Sequence, residues 1–573
     1  MLLLHLLINL ALIHCSIFIS NKNFNNTGNM GMVGPTSFWS SYTFWTGSSI
    51  AASILAVNTV PQYTIGQSIA KTATAIFFAQ WLVYLIYAVL LYPRYFSPLR
   101  HLPTVKEGNH PIMGQWFAIA GEPSGEPMRR WLNTVPNDGL VRYFGMFNRE
   151  RVLLTSPKAL AEVLNTKNYE FQRPQFLLRG IMRILGVGLL LSEGDDHKYQ
   201  RKGLTPAFAF RHIKELYPVF WSKSREMVKT IEEVELVQKK PNVEAEIGGW
   251  ASRAALDIIG VGGMGQDFNS LADPNTELNK TYRSVFSPSR QAQILGLLQF
   301  FIPAWIVENL PIKRNGDIMA ASKLARDTSF QLVRQKKEQM ARKEQLHPDI
   351  ISIALESGQF TDEKLVDNMM TFLAAGHETT ASSLTWAAYM LSKHPEVQTR
   401  LRQEVHEHIP SLNNEINDTL IDGMPYLHAV CQEVLRFYSP VPVTLREAVI
   451  NTSIQGHYVP KGSVIMLCPW AINRSEELWG PDAGEFNPDR WMKPGTANSG
   501  GATSNYAFLT FLHGPRGCIG QKFATAEMAC LVAALVGKFE FEQTYPDEEI
   551  IIKGGITARP KNGMRLNLKV VEW

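Results

Sequence analysis

FLHGPRGCIG, Phe511 to Gly520, is a glycine-rich loop with one cysteine, an arginine two residues before it, and an apolar segment at helical spacing after it, Gln521 to Lys538. A sulfur that serves as a metal ligand must stay deprotonated, and a thiolate in apolar surroundings persists only where its charge is offset. Gly514 and Gly520 let the backbone turn so that amide N–H groups point at Cys518. The N-terminus of the following helix adds a partial positive charge beside the sulfur. Arg516 supplies a fixed cation suited to a haem propionate. Taken in isolation, Cys518 reads better as an ordinary core thiol in a turn before a helix. The residues around it favour the ligand of a haem iron.

Three more motifs follow the same logic. AGHETT, Ala375 to Thr380, sits inside an apolar run from about Thr361 to Lys393 that His394-Pro395 stops. A glycine inside a helix costs about 1 kcal/mol against alanine, so Gly376 before the polar Glu378-Thr379-Thr380 run needs a reason. A locally loosened helix that opens a pocket would be one. A solvated polar stripe fits poorly with Met369, Met370, Phe372, Leu373 and Ala374 just before it. Glu433 and Arg436 in EVLR are, as a bare pair, unspecific. Their weight comes from FNPDRW, where Arg490 follows Pro488.

Phe511, Gly514, Arg516, Cys518 and Gly520 stand at the offsets of the cytochrome P450 haem-binding signature, and the other motifs occur in that family's order, so the chain resembles the cytochrome P450 family from about Asn109 to Trp573. The resemblance implies a mainly α fold with a small antiparallel β portion, carrying haem b with Cys518 as the axial iron ligand. It implies that Thr379 orders the water that protonates bound oxygen, that Glu378 relays protons, and that Glu433, Arg436 and Arg490 form a buried structural network. Arg446 and, in GDDHKYQRKGLTPAF, Arg201 match frequent propionate contacts. His197 stands where the family commonly has tryptophan, and is expected as a hydrogen-bonding substitute or a partly exposed residue.

Other readings of these residues fail on spacing. His377-Glu378 begins like H-E-x-x-H, but Ala381 replaces the second histidine. The C-x-x-C-H of covalent haem is absent, and Cys15, Cys431, Cys468, Cys518 and Cys530 are too dispersed for an iron–sulfur cluster. With no Rossmann or P-loop fingerprint, electrons must come from a separate protein. The resemblance implies NADPH as the indirect source through an NADPH–cytochrome P450 reductase, with cytochrome b5 as a further candidate. Lys198, Lys202 and Lys522 are placed to meet an acidic partner surface. Net charge is +4 over 573 residues, too little to argue for nucleic acid. Dispersed cysteines point to a reducing compartment.

Thr72 to Tyr92 carries no charged residue and is long enough to cross a hydrocarbon core of about 30 Å. Arg94, Arg100 and Lys106 follow it, against Lys71 before it, which predicts a single-pass anchor with the catalytic body on the cytosolic side of the endoplasmic reticulum membrane. Residues 93–108, with YPRYFSPLRHLP, read as a stiff hinge. Leu2 to Ile19 is a second apolar run: a signal peptide, a weak second span, or an extension from a misplaced start codon. If it does not span, residues 21 to 70 would be lumenal and Asn25 a glycosylation site. Segments expected to line the pocket are Phe176–Val187, Phe372–Thr379, Val441–Leu445 and Gly554–Thr557, all mainly apolar. They favour a hydrophobic small molecule of terpenoid, polyketide, alkaloid or fatty-acid type. The resemblance therefore implies an O₂-dependent monooxygenase, of the membrane-anchored type that tailors secondary metabolites in filamentous fungi. An oxygen-independent haem-thiolate isomerase or dehydratase, and a non-catalytic haem-binding membrane protein, are the rivals.

Overall fold

The computed structural model describes residues 38–236, 243–276, 312–342, 349–496, 499–546, 550–553 and 557–573, with isolated positions between 277 and 311. Leu2–Ile19 and Asn25 lie outside the described residues. Seven helices carry the argument: α1 Phe38–Thr59, α2 Ile69–Ile86, α3 Gly194–Leu204, α4 Ile247–Ile258, α5 Asp362–Lys393, α6 Pro425–Phe437 and α7 Gln521–Lys538. The strands used below are β1 Leu140–Phe144, β2 Glu150–Leu154, β3 Phe171–Gln172, β4 Val243–Glu246, β5 Thr444–Ala448, β6 Thr452–Ile454, β7 His457–Val459, β8 Val464–Leu467, β9 Phe539–Gln543, β10 Ile552–Lys553, β11 Arg559–Pro560 and β12 Arg565–Val570.

Helix α5 begins where the sequence predicts. The Thr361 hydroxyl accepts from the Lys364 N–H, Asp362 and Glu363 lie in the first turn, and Pro395 bars continuation. Most of its residues are buried, so it is a central helix rather than a surface one. Its closest neighbour is α4, whose Gly248, Gly249, Ala251, Ala254 and Ala255 let two backbones approach. Glu246 caps α4 by accepting from the N–H groups of Gly248 and Gly249 at 3.0 and 2.7 Å.

Gly376 does not loosen α5. The helix is unbroken from Asp362 to Lys393, and a Cβ at position 376 would stand 3.1 Å from the Ile259 side chain just beyond α4. The glycine permits close packing, which answers the question that its helix cost raised.

The main sheet has the order β1-β2-β8-β5-β3. It is antiparallel except where β2 pairs parallel with β8, Arg151 opposite Val464. That parallel pair is an addition to the expected antiparallel portion, and it requires the long helical connection between the two strands. Strands β4, β12 and β9 form a second, antiparallel sheet, and β6–β7 and β10–β11 are hairpins.

Residues 93–108 form no free hinge. The helical winding of α2 continues in wider turns through Tyr87–Phe96, around Pro93. Leu99, Leu102 and Val105 are then buried in the core. The Arg142 N–H donates to Pro103 O at 2.7 Å, and the Val105 N–H to Arg142 O at 2.9 Å, so the stretch is stitched along β1. Asn148 Nδ2 donates to Val89 O at 2.8 Å and to Pro111 O at 2.7 Å. The apolar residues between the prolines bury themselves in the core.

Glu433, Arg436 and Arg490 come together in the core. Arg436 donates to both Glu433 oxygens at 2.8 Å and spends its remaining N–H groups on the carbonyls of Asn473, Ala483 and Glu485. Arg490 Nε reaches Glu433 Oε1 at 3.1 Å, and Trp491 Nε1, which sequence reading passed over, reaches Oε2 at 3.0 Å. All three charged side chains are buried. Replacing Glu433 by alanine leaves the buried Arg436 guanidinium without its carboxylate and Arg490 with Asp482 alone, at 3.0 Å, an effect of about 3–5 kcal/mol. We expect Glu433→Ala to lower the thermal midpoint sharply and to lose haem in the same step; a stable variant with full haem content would contradict the network's structural role.

Candidate haem-thiolate site

The cysteine loop is built from the backbone outward. Gly514, at φ 71°, opens a tight turn through Arg516, and the Cys518 N–H closes the loop by donating to Phe511 O at 2.8 Å. A Cβ on Gly514 would collide with the Leu164 carbonyl, so glycine is required there for both space and conformation. Gly520 behaves differently from the sequence expectation: at φ −88° it has ordinary right-handed geometry, and a Cβ there would meet only Phe208 at 3.7 Å. Its contribution is its N–H, which favours a negative sulfur.

Among the described cysteines, Cys518 alone is exposed; Cys431, Cys468 and Cys530 are buried. Burial pushes the Cys431 and Cys468 thiols up to about 12. Although its residue surface is open, the protein packed around the Cys518 sulfur raises its thiol, against the Gly520 N–H and the Arg201 charge, which pull it down. A bound metal cation would act in the same direction as those two.

Beside the loop lies a cluster of cations with too little anion. Arg173, Arg201, Arg446 and Arg516 all act on the buried His197, whose ring is pulled down to about 3 by burial first and then by these charges, so that it is neutral. His197 Nδ1 is paired with the Tyr169 hydroxyl at 3.2 Å, the hydrogen-bonding outcome of the two expected. Glu193 is the one carboxylate paired in this cluster among the described residues, facing Arg516 Nη2 and, at 3.5 Å, Arg173 Nη1. Arg446 is almost wholly buried, and burial followed by Arg173 and Arg516 holds it well below its ordinary value. Its Nη2, like Arg516 Nε, is buried with no hydrogen-bond partner among the described residues. Orphaned buried guanidinium N–H groups in a positive pocket next to an accessible thiol fit the two propionates and the iron of a haem. Arg201 is placed somewhat differently from expectation: its Nη1 donates to Gly517 O at 2.6 Å, which makes it a brace for the cysteine loop.

Helix α5 shows one open face. Ala375 is exposed and Gly376 and Thr379 half-buried within an otherwise buried stretch. The Thr379 hydroxyl donates to Ala375 O at 2.6 Å. Glu378 is held by Arg559 of β11 at 2.8 Å, with the Thr557 hydroxyl 3.4 Å away, and His377 Nε2 meets Ser252 Oγ at 2.6 Å. Next to Thr379, the Thr380 hydroxyl donates to Glu527 Oε2 at 3.0 Å. This buried contact ties α5 to α7, the helix that Cys518 precedes. Leu445 packs into the core, and residues 554–556 lie outside the described residues. Sequence reading missed Arg173, Glu193, Glu527 and Arg559, since each gains meaning only from a partner far along the chain.

A thiol presented by a glycine-rich loop, a cationic pocket short of anions, and an open helix face with a threonine and an acid define a haem-thiolate protein. The cytochrome P450 family model matches residues 103–566, and the chain belongs to the cytochrome P450 family. That family holds haem by a cysteine thiolate and receives NADPH electrons through a reductase. Relatives include the cytochrome P450 monooxygenase sphH of Aspergillus fumigatus, 46% identical over 85% of this chain and 91% of its own length. ALT8 of Alternaria alternata is 41% identical over 84% of this chain and 92% of its own, and FUM15 of Gibberella moniliformis 40% identical over 85% and 91%; both are likewise cytochrome P450 monooxygenases.

The two loop glycines give a paired test. Gly514→Ala must displace the Leu164 carbonyl and adopt a strained φ, so it should fail to retain haem. Gly520→Ala should retain it, since only an ordinary contact is added. The ratio of Soret to protein absorbance decides between them, and equal haem loss in both variants would overturn the assignment.

Proposed function

We propose that this protein is a monooxygenase that places one oxygen atom of O₂ into a C–H or C=C bond of an apolar small molecule, with the other leaving as water and NADPH supplying two electrons through a reductase. Haem, when bound, supplies the O₂ chemistry, and thiolate ligation favours O–O cleavage. The observation that carries the reading is the accessible Cys518 thiol in the loop that leads into α7, together with the open Ala375–Thr379 face of α5, on two helices joined through Thr380 and Glu527.

The chain's own residues then divide the work. Arg446 and Arg516 bind and orient the propionates, and Arg201 keeps the cysteine loop in place. Thr379 holds a water for proton delivery by exchanging its bond to Ala375 O, and Glu378, poised on Arg559, passes the proton inward. Exposed Lys198, Lys202 and Lys522 offer the reductase a basic patch, although Lys198 already pairs with Asp195 at 2.7 Å. The relatives' fungal sources and the apolar lining support a role in tailoring secondary metabolites, on the endoplasmic reticulum with the body toward the cytosol. Deleting the gene and comparing metabolite masses tests this: a precursor one oxygen short of the lost product supports monooxygenation, and a difference of two hydrogens points to desaturation. Turnover without O₂ and NADPH would instead indicate an isomerase or dehydratase.

Two variants test the residue roles. Cys518→Ser should abolish the red-shifted Soret band of the reduced carbon monoxide complex, and persistence of that band removes the ligand assignment. Thr379→Ala should keep haem while diverting NADPH consumption toward peroxide, by about 10²-fold or more in product formed per peroxide if the threonine acts as a proton-transfer group. Unchanged coupling would count against this proton route.

A further inference from the structure

Helix α1 is packed against α2 with its polarity reversed. The buried residues of the pair are mostly small or polar, with Ser49, Ser53, Ala56 and Thr72 at 1%, 0%, 8% and 3% exposed and only Trp45 and Ile76, at 3% and 7%, large and apolar among the described residues. Ser49 Oγ donates to Gln80 Oε1 at 3.1 Å, and Ser48 Oγ approaches the same oxygen at 3.4 Å. Trp45 closes this seam edge-on against Tyr84 and Phe77, with ring centroids 4.8 and 6.5 Å away. The outward faces are apolar: Ile54, Leu55, Phe78, Leu82 and Val83 are between 43% and 58% exposed. A helix pair in water buries its apolar stripe and exposes its polar one. The opposite arrangement, with small and hydrogen-bonding residues at the seam and large apolar side chains outside, is that of helices surrounded by lipid.

The linear chemistry agrees. From Phe38 to Gln67 there is no charged residue, and the first is Lys71 in the opening turns of α2. The turn between the helices, residues 60–68, is short and tied down, with the Ile65 N–H donating to Thr72 Oγ1 at 3.1 Å. At 22 residues α1 is about 33 Å long, enough for a hydrocarbon core. Taken alone, only Ile69–Phe96 among the described helices has the hydropathy of a span, with a mean of 2.0. Of the serines that lower the value for α1, Ser48 and Ser49 turn to Gln80, and Ser53 is fully buried with its hydroxyl donating to Ile50 O at 2.8 Å.

We propose that α1 is a second membrane span, so that α1 and α2 form a helical hairpin whose outer surface is covered by the hydrocarbon of the bilayer. This rests on the reading of Ile69–Phe96 as a membrane anchor. A hairpin returns the chain to its starting side, so the segment before α1 lies on the same side as the catalytic body. Asn25 is then never presented to the lumen, which replaces the expectation of a lumenal, glycosylated segment.

The test uses the full-length protein in sealed microsomes, with an epitope inserted after Gly31 and a second at the C-terminus. The hairpin predicts that both epitopes are open to protease and antibody, that alkaline carbonate does not extract the protein, and that endoglycosidase leaves the mobility unchanged with Asn25 intact. A protected Gly31 epitope beside an open C-terminal one, or a mobility shift abolished by Asn25→Gln, overturns the hairpin and leaves a single span. Extraction by carbonate overturns the anchor reading itself.

Discussion

Arg173, Arg446 and Arg516 crowd around Glu193 in a pocket that water barely reaches, with Arg201 close enough to act on the same histidine. A buried cation without a partner is among the costliest things a protein can contain, and here burial and mutual repulsion act on Arg446 together. Part of each group is satisfied by protein, Arg446 Nη1 by Thr444 Oγ1 and Leu445 O and Arg516 Nη1 by Ser192 O, while Arg446 Nη2 and Arg516 Nε are left without a partner among the described residues. Under the reading proposed above, a bound haem would supply the missing carboxylates, and its capture would then be linked to the stability of this region.

That constraint propagates through a small number of rigid contacts. The cysteine loop leads directly into α7, α7 is joined to α5 by Thr380 and Glu527, and α5 lies against α4 at a separation set by Gly376. The open face of α5 is thus held relative to the thiol by helices rather than by loops, which is what a reaction needing fine alignment requires. Glu378 is the exception. Its partner Arg559 comes from the short strand β11, so the position of the acid depends on a contact from outside the helices.

What the sequence revealed, and what it hid, divides along the range of the interactions. Cys518, Gly514 and the Glu433–Arg436 pair were legible because their geometry is local, set by a turn or by one helical step. Arg490 was legible through the motif it sits in. Gly376 was noticed as anomalous but given the wrong reason, because the atom it makes room for belongs to Ile259, on another element. Gly520 was credited with conformational freedom that its φ does not use. The pairing of β2 with β8, the docking of residues 93–108 and the roles of Arg173 and Arg559 depend on chain segments brought together only by the finished fold. No periodicity or spacing carries that information.

The stitching of residues 99–105 along β1 also bears on how this protein can be handled. From the prolines alone, a cut at residue 108, between the body and the apolar helix before it, would look natural. Here it would strip Leu99, Leu102 and Val105 from the core, unpair the outer edge of β1 at Arg142, and leave Asn148 without its contact to Val89. The catalytic body reaches back into the anchor's last turns. Such a cut would pass through the packed body rather than behind it, because the chain from Leu99 to Val105 is already part of the core.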